Sequence, residues 1–219
     1  MESENHLIYG PPASGKTTLA SAWAQRAGAE YLSVGEMTRG EISRGTATGK
    51  ELRSYLNRLL GYPVELIAGI VGDRLASVVR TGKPFILDGF PKYNREVPPF
   101  IEMLTKNKLR ITSTVIIDLP LEVALERIAN RRLCLSCDRQ VSVVTPEQIS
   151  CSFCGESLIE RQDDSLMEIG RRYRDHIGAL SKTLSLLGEY CGKMVHVDGR
   201  QSPDSILAHV LVVTKRLPG

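Results

Sequence analysis

The hydrophobic pattern of the chain alternates short apolar runs with longer segments in which apolar residues recur at helical spacing. The short runs predict strands at residues 6–9, 84–87, 114–118 and 194–197. The helical spacing predicts helices at residues 15–27, 64–80, 96–106, 121–131, 167–187 and 203–214. Strands that alternate with helices predict a mostly parallel sheet covered on both faces, which is a three-layer α/β fold.

Two segments interrupt this alternation. Residues 34–62 are polar and helical in pattern, and Gly45 and Gly49 are predicted to break the helix there. Residues 133–160 contain short strand-like runs, turn residues and four cysteines. Both segments therefore have the pattern of insertions into the α/β core.

The composition narrows the class of protein. With 219 residues, 42% of them hydrophobic, the chain is long enough for one α/β core with inserted modules. A formal net charge of +3 does not support a general nucleic-acid or membrane surface. No apolar run reaches the roughly 18 residues that span a bilayer, and the first residues lack the pattern of a signal peptide, so we predict a cytoplasmic protein.

A glycine-rich stretch follows the first predicted strand and opens the first predicted helix. It fits the phosphate-loop pattern G-x-x-x-x-G-K-[ST] and reads Gly10-Pro11-Pro12-Ala13-Ser14-Gly15-Lys16-Thr17. Such a loop turns backbone N–H groups toward phosphates, and Lys16 adds a cation for the β and γ oxygens. A hydroxyl from Thr17 or Thr18 can serve Mg²⁺. The stretch therefore predicts binding of a nucleoside triphosphate.

Charged residues elsewhere suit phosphoryl transfer. Asp88 ends a predicted strand, where it can serve Mg²⁺ beside the phosphate loop, although a lone aspartate there also suits a turn cap. Transfer between two phosphate-bearing substrates needs cations on both sides of the moving group. Candidate guanidinium groups are Arg39, Arg127, Arg131, Arg132, Arg161, Arg171 and Arg172.

Four of the five cysteines form two Cys-x-x-Cys pairs within one segment. The pairs are Cys134/Cys137 and Cys151/Cys154, with thirteen residues between them. This spacing is typical of a tetrahedral zinc site that folds a module too small for its own core. The segment lacks the interleaved aromatic residues and dense basic stripe of a nucleic-acid-binding ribbon. We interpret the fifth, Cys191, as an unreactive thiol.

The ordered motifs resemble those of the adenylate kinases, within the nucleoside monophosphate kinase family. The phosphate loop is followed in order by motifs at residues 32–39 (LSVGEMTR), 88–91 (DGFP), 127–132 (RIANRR), 161–164 (RQDD), 172 (R) and 197–199 (VDG). The resemblance covers nearly the whole chain. It implies a P-loop core at residues 1–33, 63–130 and 165–219, a helical acceptor-binding insertion at residues 34–62, and a zinc-ribbon lid at residues 131–164.

The resemblance also implies an activity and its residues. The reaction is reversible transfer from Mg-ATP to AMP by a monomer, with Lys16, Asp88, Arg131, Arg161 and Arg172 in catalytic positions. The ATP site comprises Pro12, Ala13, Ser14, Gly15, Lys16, Thr17 and Thr18, together with Arg127 over the base and Arg131 on the phosphates. The acceptor site comprises Val34, Arg39, Gly89, Lys92, Glu96, Arg161 and Arg172.

The chain departs from the family pattern at five of these positions. Ala13 and Thr17 replace loop glycines, and a methyl group is costly wherever φ must be positive. Lys92 replaces an arginine and Val34 a threonine. Glu96 replaces a glutamine that reads the acceptor base, and a carboxylate suits a base edge with two donors better than adenine; in another register Asn94 or Arg95 would take that role. Two alternatives follow: a kinase acting on GMP, UMP or CMP, or a nucleotide-sensing protein without turnover.

Overall fold

A five-stranded parallel sheet forms the centre of the protein, in a computed structural model that describes residues 4–57, 61–134, 136–137, 140–143, 148–159 and 166–215. The strand order is β2-β3-β1-β4-β8. The strands are β1 (Asn5–Tyr9), β2 (Glu30–Ser33), β3 (Phe85–Asp88), β4 (Ile111–Asp118) and β8 (Lys193–Asp198). All four pairings are parallel, as the alternation of strands and helices predicts.

Helices cover both faces of this sheet, which confirms the predicted three-layer α/β fold. They are α1 (Lys16–Ala27), α2 (Val34–Arg44), α3 (Ala47–Asn57), α4 (Val64–Thr81), α5 (Val97–Lys106), α6 (Leu121–Ala129), α7 (Leu166–Leu187) and α8 (Pro203–Val213). On one face, α1 and α8 pack around Trp23. On the other, α4, α5 and the end of α7 bury a cluster that includes Phe85 and Phe100. Among the described residues, no helix is both long and apolar enough to cross a membrane.

The cysteine-rich segment forms a second, smaller sheet. Its strands are β5 (Arg131–Cys134), β6 (Gln140–Ser142) and β7 (Leu158–Ile159), antiparallel in the order β6-β5-β7. The small cluster under this sheet contains Cys134, Val141 and Cys151. Such a cluster is too small to hold a domain together by hydrophobic burial alone.

The sheet register brings the candidate site to one edge. Asp88 is level with Ile8 and with Ser33, and Asp118 is level with Asp198. The carboxyl ends of the strands therefore meet beside the loop between β1 and α1. Ligand sites of open parallel sheets lie at this edge.

Three sequence predictions were wrong at the level of elements. Residues 30–33 form β2, which the apolar pattern did not predict, because that strand is short and only half buried. Gly45 ends α2 in a left-handed conformation (φ 66°), but Gly49 lies inside α3 and does not break it. Finally, α6 ends at Ala129, and residue 131 already belongs to β5.

Candidate active site

The phosphate loop, residues 10–17, connects β1 to α1 in a strained conformation. Gly15 has φ +86° and Ala13 has φ +60°. The first value suits glycine, whereas the second places a methyl group in the left-handed region, at a cost of about 1 kcal/mol. The expectation that Ala13 occupies a position demanding positive φ is confirmed. The loop is tightened by a hydrogen bond from Ser14 N–H to Pro11 O (3.2 Å).

The Lys16 side chain folds back onto the phosphate loop and donates to its backbone carbonyls. Its Nζ donates to Gly10 O at 2.6 Å and to Pro11 O at 3.1 Å. Burial lowers the pKa of Lys16, while the nearby Asp88 carboxylate opposes that shift. Three further cations add to the lowering: Arg172, Lys92 and Arg131. The structure thus gathers four predicted cations and one predicted carboxylate around the phosphate loop.

Asp88 lies at the carboxyl end of β3, where the sequence placed it. Its Oδ2 accepts a hydrogen bond from Tyr31 Oη at 3.0 Å. Burial and the Asp88 charge together raise the pKa of Tyr31 above its ordinary value, so the phenol remains a donor. Thr17, at the exposed start of α1, also interacts with the Tyr31 hydroxyl. Carboxylate and hydroxyl oxygens are the kind of ligand that Mg²⁺ prefers. These residues therefore fit the metal of a Mg-nucleotide.

Tyr31 is a site residue that the sequence reasoning missed. It lies on β2, two residues before Ser33, and it reaches Asp88 because β2 pairs with β3. The only signal for it would have been the assignment of residues 30–33 as a strand beside β3.

Arg127 donates hydrogen bonds to two loops that line one cavity. Its guanidinium donates to Gly199 O at 2.7 Å and to Ala13 O at 3.3 Å. The cavity has a volume of about 340 Å³ and also includes Thr18, Arg131 and residues of α8. Its position and mostly apolar walls suit a nucleotide base attached to phosphates on the loop.

The acceptor-site candidates lie on the other side of Asp88. Val34 is beside Gly89, which has φ +92°. The Arg39 guanidinium packs against Gly35 and lowers the pKa of Tyr62, although burial raises that pKa overall. The Lys92 ammonium lies 5.0 Å above the Tyr93 ring. Of the residues predicted for the acceptor, Val34 and Gly89 are thus direct neighbours.

Glu96 is almost fully buried, at 5% exposure, and one of its oxygens is engaged with the backbone. Its Oε2 accepts from Lys92 N–H at 2.6 Å and from Tyr93 N–H at 3.2 Å. These bonds fix the turn before the short 3₁₀ segment at residues 94–96. Burial raises the pKa of Glu96, while the two N–H donors and the cations Arg95 and Lys92 oppose this shift. A role in reading the acceptor base stays a prediction.

The four paired cysteines converge on one point. Their sulfurs all lie within 4.8 Å of one another. The Sγ atoms of Cys134 and Cys154 are 3.4 Å apart, and those of Cys137 and Cys151 are 3.7 Å apart. A tetrahedral zinc with Zn–S bonds of about 2.3 Å requires sulfurs about 3.8 Å apart. The donor set and its spacing therefore fit zinc.

The remaining candidate arginines divide into three cases. Arg171 points to the surface, where it pairs with Glu168 and Asp175. Arg132 donates to Ala129 O at 2.9 Å on an exposed turn. Arg161 lies outside the described residues. Of the neighbouring pair on α7, Arg172 is thus the member that acts on Lys16.

The sequence of the chain is similar to those of known adenylate kinases. The family model described as "Adenylate kinase" matches residues 8–196. The adenylate kinase of Kosmotoga olearia is 31% identical over 94% of this chain and 96% of its own length. That of Thermococcus onnurineus is 33% identical over 92% of this chain and 90% of its own length. That of Desulforamulus reducens is 31% identical over 96% of this chain and all of its own length.

Proposed function

The chain belongs to the adenylate kinase family, and we propose that it transfers the terminal phosphoryl group of Mg-ATP reversibly to AMP, giving two molecules of ADP. It is thus a phosphotransferase of the nucleoside monophosphate kinase class. The family resemblance that the ordered sequence motifs suggested is confirmed.

The observation that carries the proposal is the gathering of charge around Lys16. Lys92, Arg131 and Arg172 all act electrostatically on its ammonium, and Asp88 provides the only opposing charge among its named neighbours. Holding several cations together near a buried amine is unfavourable in the absence of anions. Two nucleotide phosphate chains meeting at this point would supply the missing negative charge. The arrangement suits in-line transfer between them.

The chemical step then needs no covalent enzyme intermediate. Lys16 exchanges its two loop carbonyls for the β and γ oxygens, and the arginines compensate the charge that develops on the moving group. Asp88 and the hydroxyls of Thr17 and Thr18 are the residues that would hold the metal of Mg-ATP. Mg²⁺, when bound, would neutralise part of the phosphate charge during the transfer.

The adenine moiety of ATP is assigned to the cavity bordered by Arg127, and the acceptor to the region between α2 and β3. We assign Val34, Arg39, Gly89, Lys92 and Glu96 to the acceptor side, with Arg161 beside them. Because Glu96 Oε2 is already paired with two backbone N–H groups, the carboxylate does not need a base edge rich in donors. This contact removes the argument that Glu96 made against AMP as the acceptor.

We further propose that the lid spans residues 131–164 and is folded by a structural zinc on Cys134, Cys137, Cys151 and Cys154. Four thiolates close the coordination sphere, so the metal would take no part in the transfer. The acceptor insertion would span residues 34–62. Because residues for both nucleotides lie in one chain, the enzyme can act as a monomer, and its five free thiols suit the reducing cytoplasm.

The test is ADP production from ATP and each of AMP, GMP, CMP and UMP, followed in separate reactions with the purified protein. We expect AMP to give the highest kcat/KM. A higher kcat/KM with GMP, CMP or UMP than with AMP would instead support a kinase for that monophosphate. The absence of turnover with all four, in protein that still binds ATP, would support a nucleotide sensor.

A further inference from the structure

One turn beyond Arg172, α7 carries a buried imidazole that the proposed transfer does not use. His176 is 8% exposed, and within the described part of the chain it makes no hydrogen bond. Its ring nitrogens are not fully buried, because Ser14 Oγ is the one fully buried side-chain nitrogen or oxygen without a partner in the described part of the chain. An imidazole that borders a cavity with its ring nitrogens unused is a candidate for a partner that arrives only when ligands bind.

His176 lines a cavity of about 480 Å³ between α7 and the carboxyl ends of β4 and β8. Pro11 of the phosphate loop lines the same cavity. The cavity is thus on the α7 side of the loop, whereas the one bordered by Arg127 and α8 is on the other side. His176 and the start of the loop that would hold the phosphates therefore border the same cavity.

The other ionisable and hydrogen-bonding side chains of this cavity are paired with neighbours. Tyr173 donates to Leu119 O at 2.8 Å. His196 Nδ1 is 2.8 Å from Asp118 Oδ2. Arg200 makes two-pronged contact with Asp198 at 2.8–3.1 Å. Within this set His176 is the side chain left with an unused donor and acceptor.

Burial, together with nearby positive charge, favours the neutral form of the imidazole. Burial lowers the pKa of His176 to about 4, and the ammonium groups of Lys16 and Lys92 contribute to the lowering. Lys16 is held close to this side of the loop because its Nζ donates to Pro11 O at 3.1 Å. Nucleotide phosphates would reverse the local sign of the charge and draw Lys16 away from that carbonyl.

We propose that His176 is a positioning residue that takes up one proton from solvent when nucleotide phosphates bind, and that the resulting imidazolium donates to the phosphate-loop carbonyl that Lys16 leaves. The inference rests on the proposed function, because it assumes that Lys16 moves to the phosphates. The only transfer is of a proton from buffer to a ring nitrogen. The imidazolium thereby keeps the loop in shape and adds a positive charge behind the phosphates.

Proton uptake has a thermodynamic consequence for the affinity. When binding takes up a proton, nucleotide affinity rises as pH falls, by up to about tenfold per pH unit for one proton. The charged groups that face this region are Lys16, Lys92, Arg172 and Asp198, and the pKa of Asp198 is lowered to about 2 by Arg200. Of the remaining facing groups, His196 lies in the same cavity and is the one to control for, together with its partner Asp118.

The experiment is isothermal titration of the protein near neutral pH with the Mg complex of the β,γ-imido analogue of ATP, which cannot transfer its terminal phosphoryl group, in two buffers of different ionisation enthalpy. The buffer dependence of the heat gives the number of protons taken up per nucleotide bound. We expect the wild type to take up close to one proton more than His176→Gln, which also corrects for protons released by the nucleotide itself. His196→Gln is the matched control and should behave as the wild type. Equal uptake in the wild type and His176→Gln would overturn the proposal.

A second measurement needs no variant that could misfold. The ring nitrogen shifts of the four histidines, followed by NMR with and without the same Mg–analogue complex at about pH 6, report each protonation state directly. His176 should be neutral in the free protein and protonated in the complex. An imidazole that stays neutral in both states contradicts the proposal. Because the analogue binds without turnover, failure of the kinase assay and failure of this inference are separate results.

Discussion

The ammonium of Lys16 has two alternative sets of acceptors, and this makes it the most informative single residue. In the substrate-free loop it is held by Gly10 O and Pro11 O, and the phosphates would compete with those carbonyls. Its positive charge contributes to the transfer only if it follows the phosphoryl group.

We expect Lys16→Met to lower phosphoryl transfer by at least a hundredfold, because the charge is lost where negative charge develops in the transition state. The thermal midpoint should change little, since the exchanged side chain is long and partly buried in both proteins. The measurement is kcat for ADP formation beside a melting curve. A variant with more than about a tenth of wild-type activity has lost under about 1.4 kcal/mol, too little for the assigned role.

Glu96 allows the two roles of its carboxylate to be separated. Its Oε2 satisfies two backbone N–H groups, so Glu96→Ala should lower the free energy of unfolding by about 1–3 kcal/mol. Glu96→Gln keeps an acceptor oxygen and should restore most of that loss without altering the acceptor preference. Chemical denaturation and kcat/KM for the four monophosphates check both statements. A gain of about fivefold or more for AMP in Glu96→Gln would show instead that the carboxylate reads the base.

The residues recovered from sequence were those belonging to contiguous motifs. Lys16 and Asp88 each follow a strand at a fixed offset, so local pattern sufficed to place them. Tyr31 and His176 reach the site through strand pairing and helix packing, which no local pattern encodes. The backbone contacts of Glu96 could not be predicted for the same reason, because they depend on the conformation of the turn at residues 92–96.

At the scale of elements, Gly49 allows α2 and α3 to approach each other closely in the acceptor insertion. A methyl group there would overlap the carbonyl oxygen of Glu41 on α2. The Gly49 N–H also donates to Thr46 Oγ1 at 2.9 Å, which caps the start of α3. This explains why a glycine that the sequence suggested as a helix breaker lies inside the helix: it permits the close approach of α2 and α3.

We therefore expect Gly49→Ala to destabilise the protein by about 1–3 kcal/mol, because α2 and α3 must move apart. Gly69 provides the matched control, since it lies in α4 and a methyl group there meets no atom within 4 Å. Gly69→Ala should be neutral or stabilise by up to about 1 kcal/mol. Urea denaturation of the two variants checks the difference. Equal stability of both would refute the packing argument.

The cysteine-rich sheet should contain about one zinc per chain and depend on it for its folding. Metal analysis of protein purified without chelator checks the content. Removal of the metal should expose residues 131–159 to proteolysis before the α/β core. Cys134→Ser should lower the zinc content, whereas Cys191→Ser should not, because Cys191 is buried beside Leu184 and far along the chain from the cluster. If the cysteine-rich sheet of zinc-free wild-type protein resisted proteolysis as well as that of the zinc-containing protein, the structural role of the metal would be excluded.

Strand β2 shows the limit of periodicity as a guide to elements. Glu30-Tyr31-Leu32-Ser33 carries only one strongly apolar side chain, and its strand geometry comes from pairing with β3. An ion pair between Glu30 and Arg74 (2.9 Å) supports it from α4. Strands β1, β3 and β4, which are buried on both faces, were predictable because burial requires continuous apolar runs.

At the scale of the whole molecule, buried histidines make stability depend on pH. His6 stacks on Trp23 (4.5 Å between ring centroids), its Nδ1 is 2.7 Å from Ser113 Oγ, and burial lowers its pKa to about 4. The unfolded chain, with a histidine pKa of about 6.5, binds more protons between these two values. Stability is therefore complete above about pH 6.5 and falls as pH drops toward 4.

The expected slope is about 1.4 kcal/mol per pH unit for each such histidine within that window, and His176 adds to that of His6 in the substrate-free protein. Denaturation curves at about pH 7 and about pH 5 measure it. His6→Gln will lower stability at both pH values but should make the dependence shallower by one proton. The exposed His209→Gln should leave it unchanged. A wild-type slope identical to that of His6→Gln would contradict the assignment.

The account as a whole requires ATP as the donor and AMP as the acceptor, so that both products are ADP, and ADP alone tests this most directly. Purified protein is supplied with Mg-ADP as its only nucleotide and followed by ³¹P NMR. ATP and AMP should appear in equal amounts until the reaction reaches equilibrium, and Lys16→Met should produce neither at a comparable rate. A kinase for another monophosphate would leave ADP unchanged, and release of inorganic phosphate without ATP would indicate hydrolysis. Either result would contradict the proposed function.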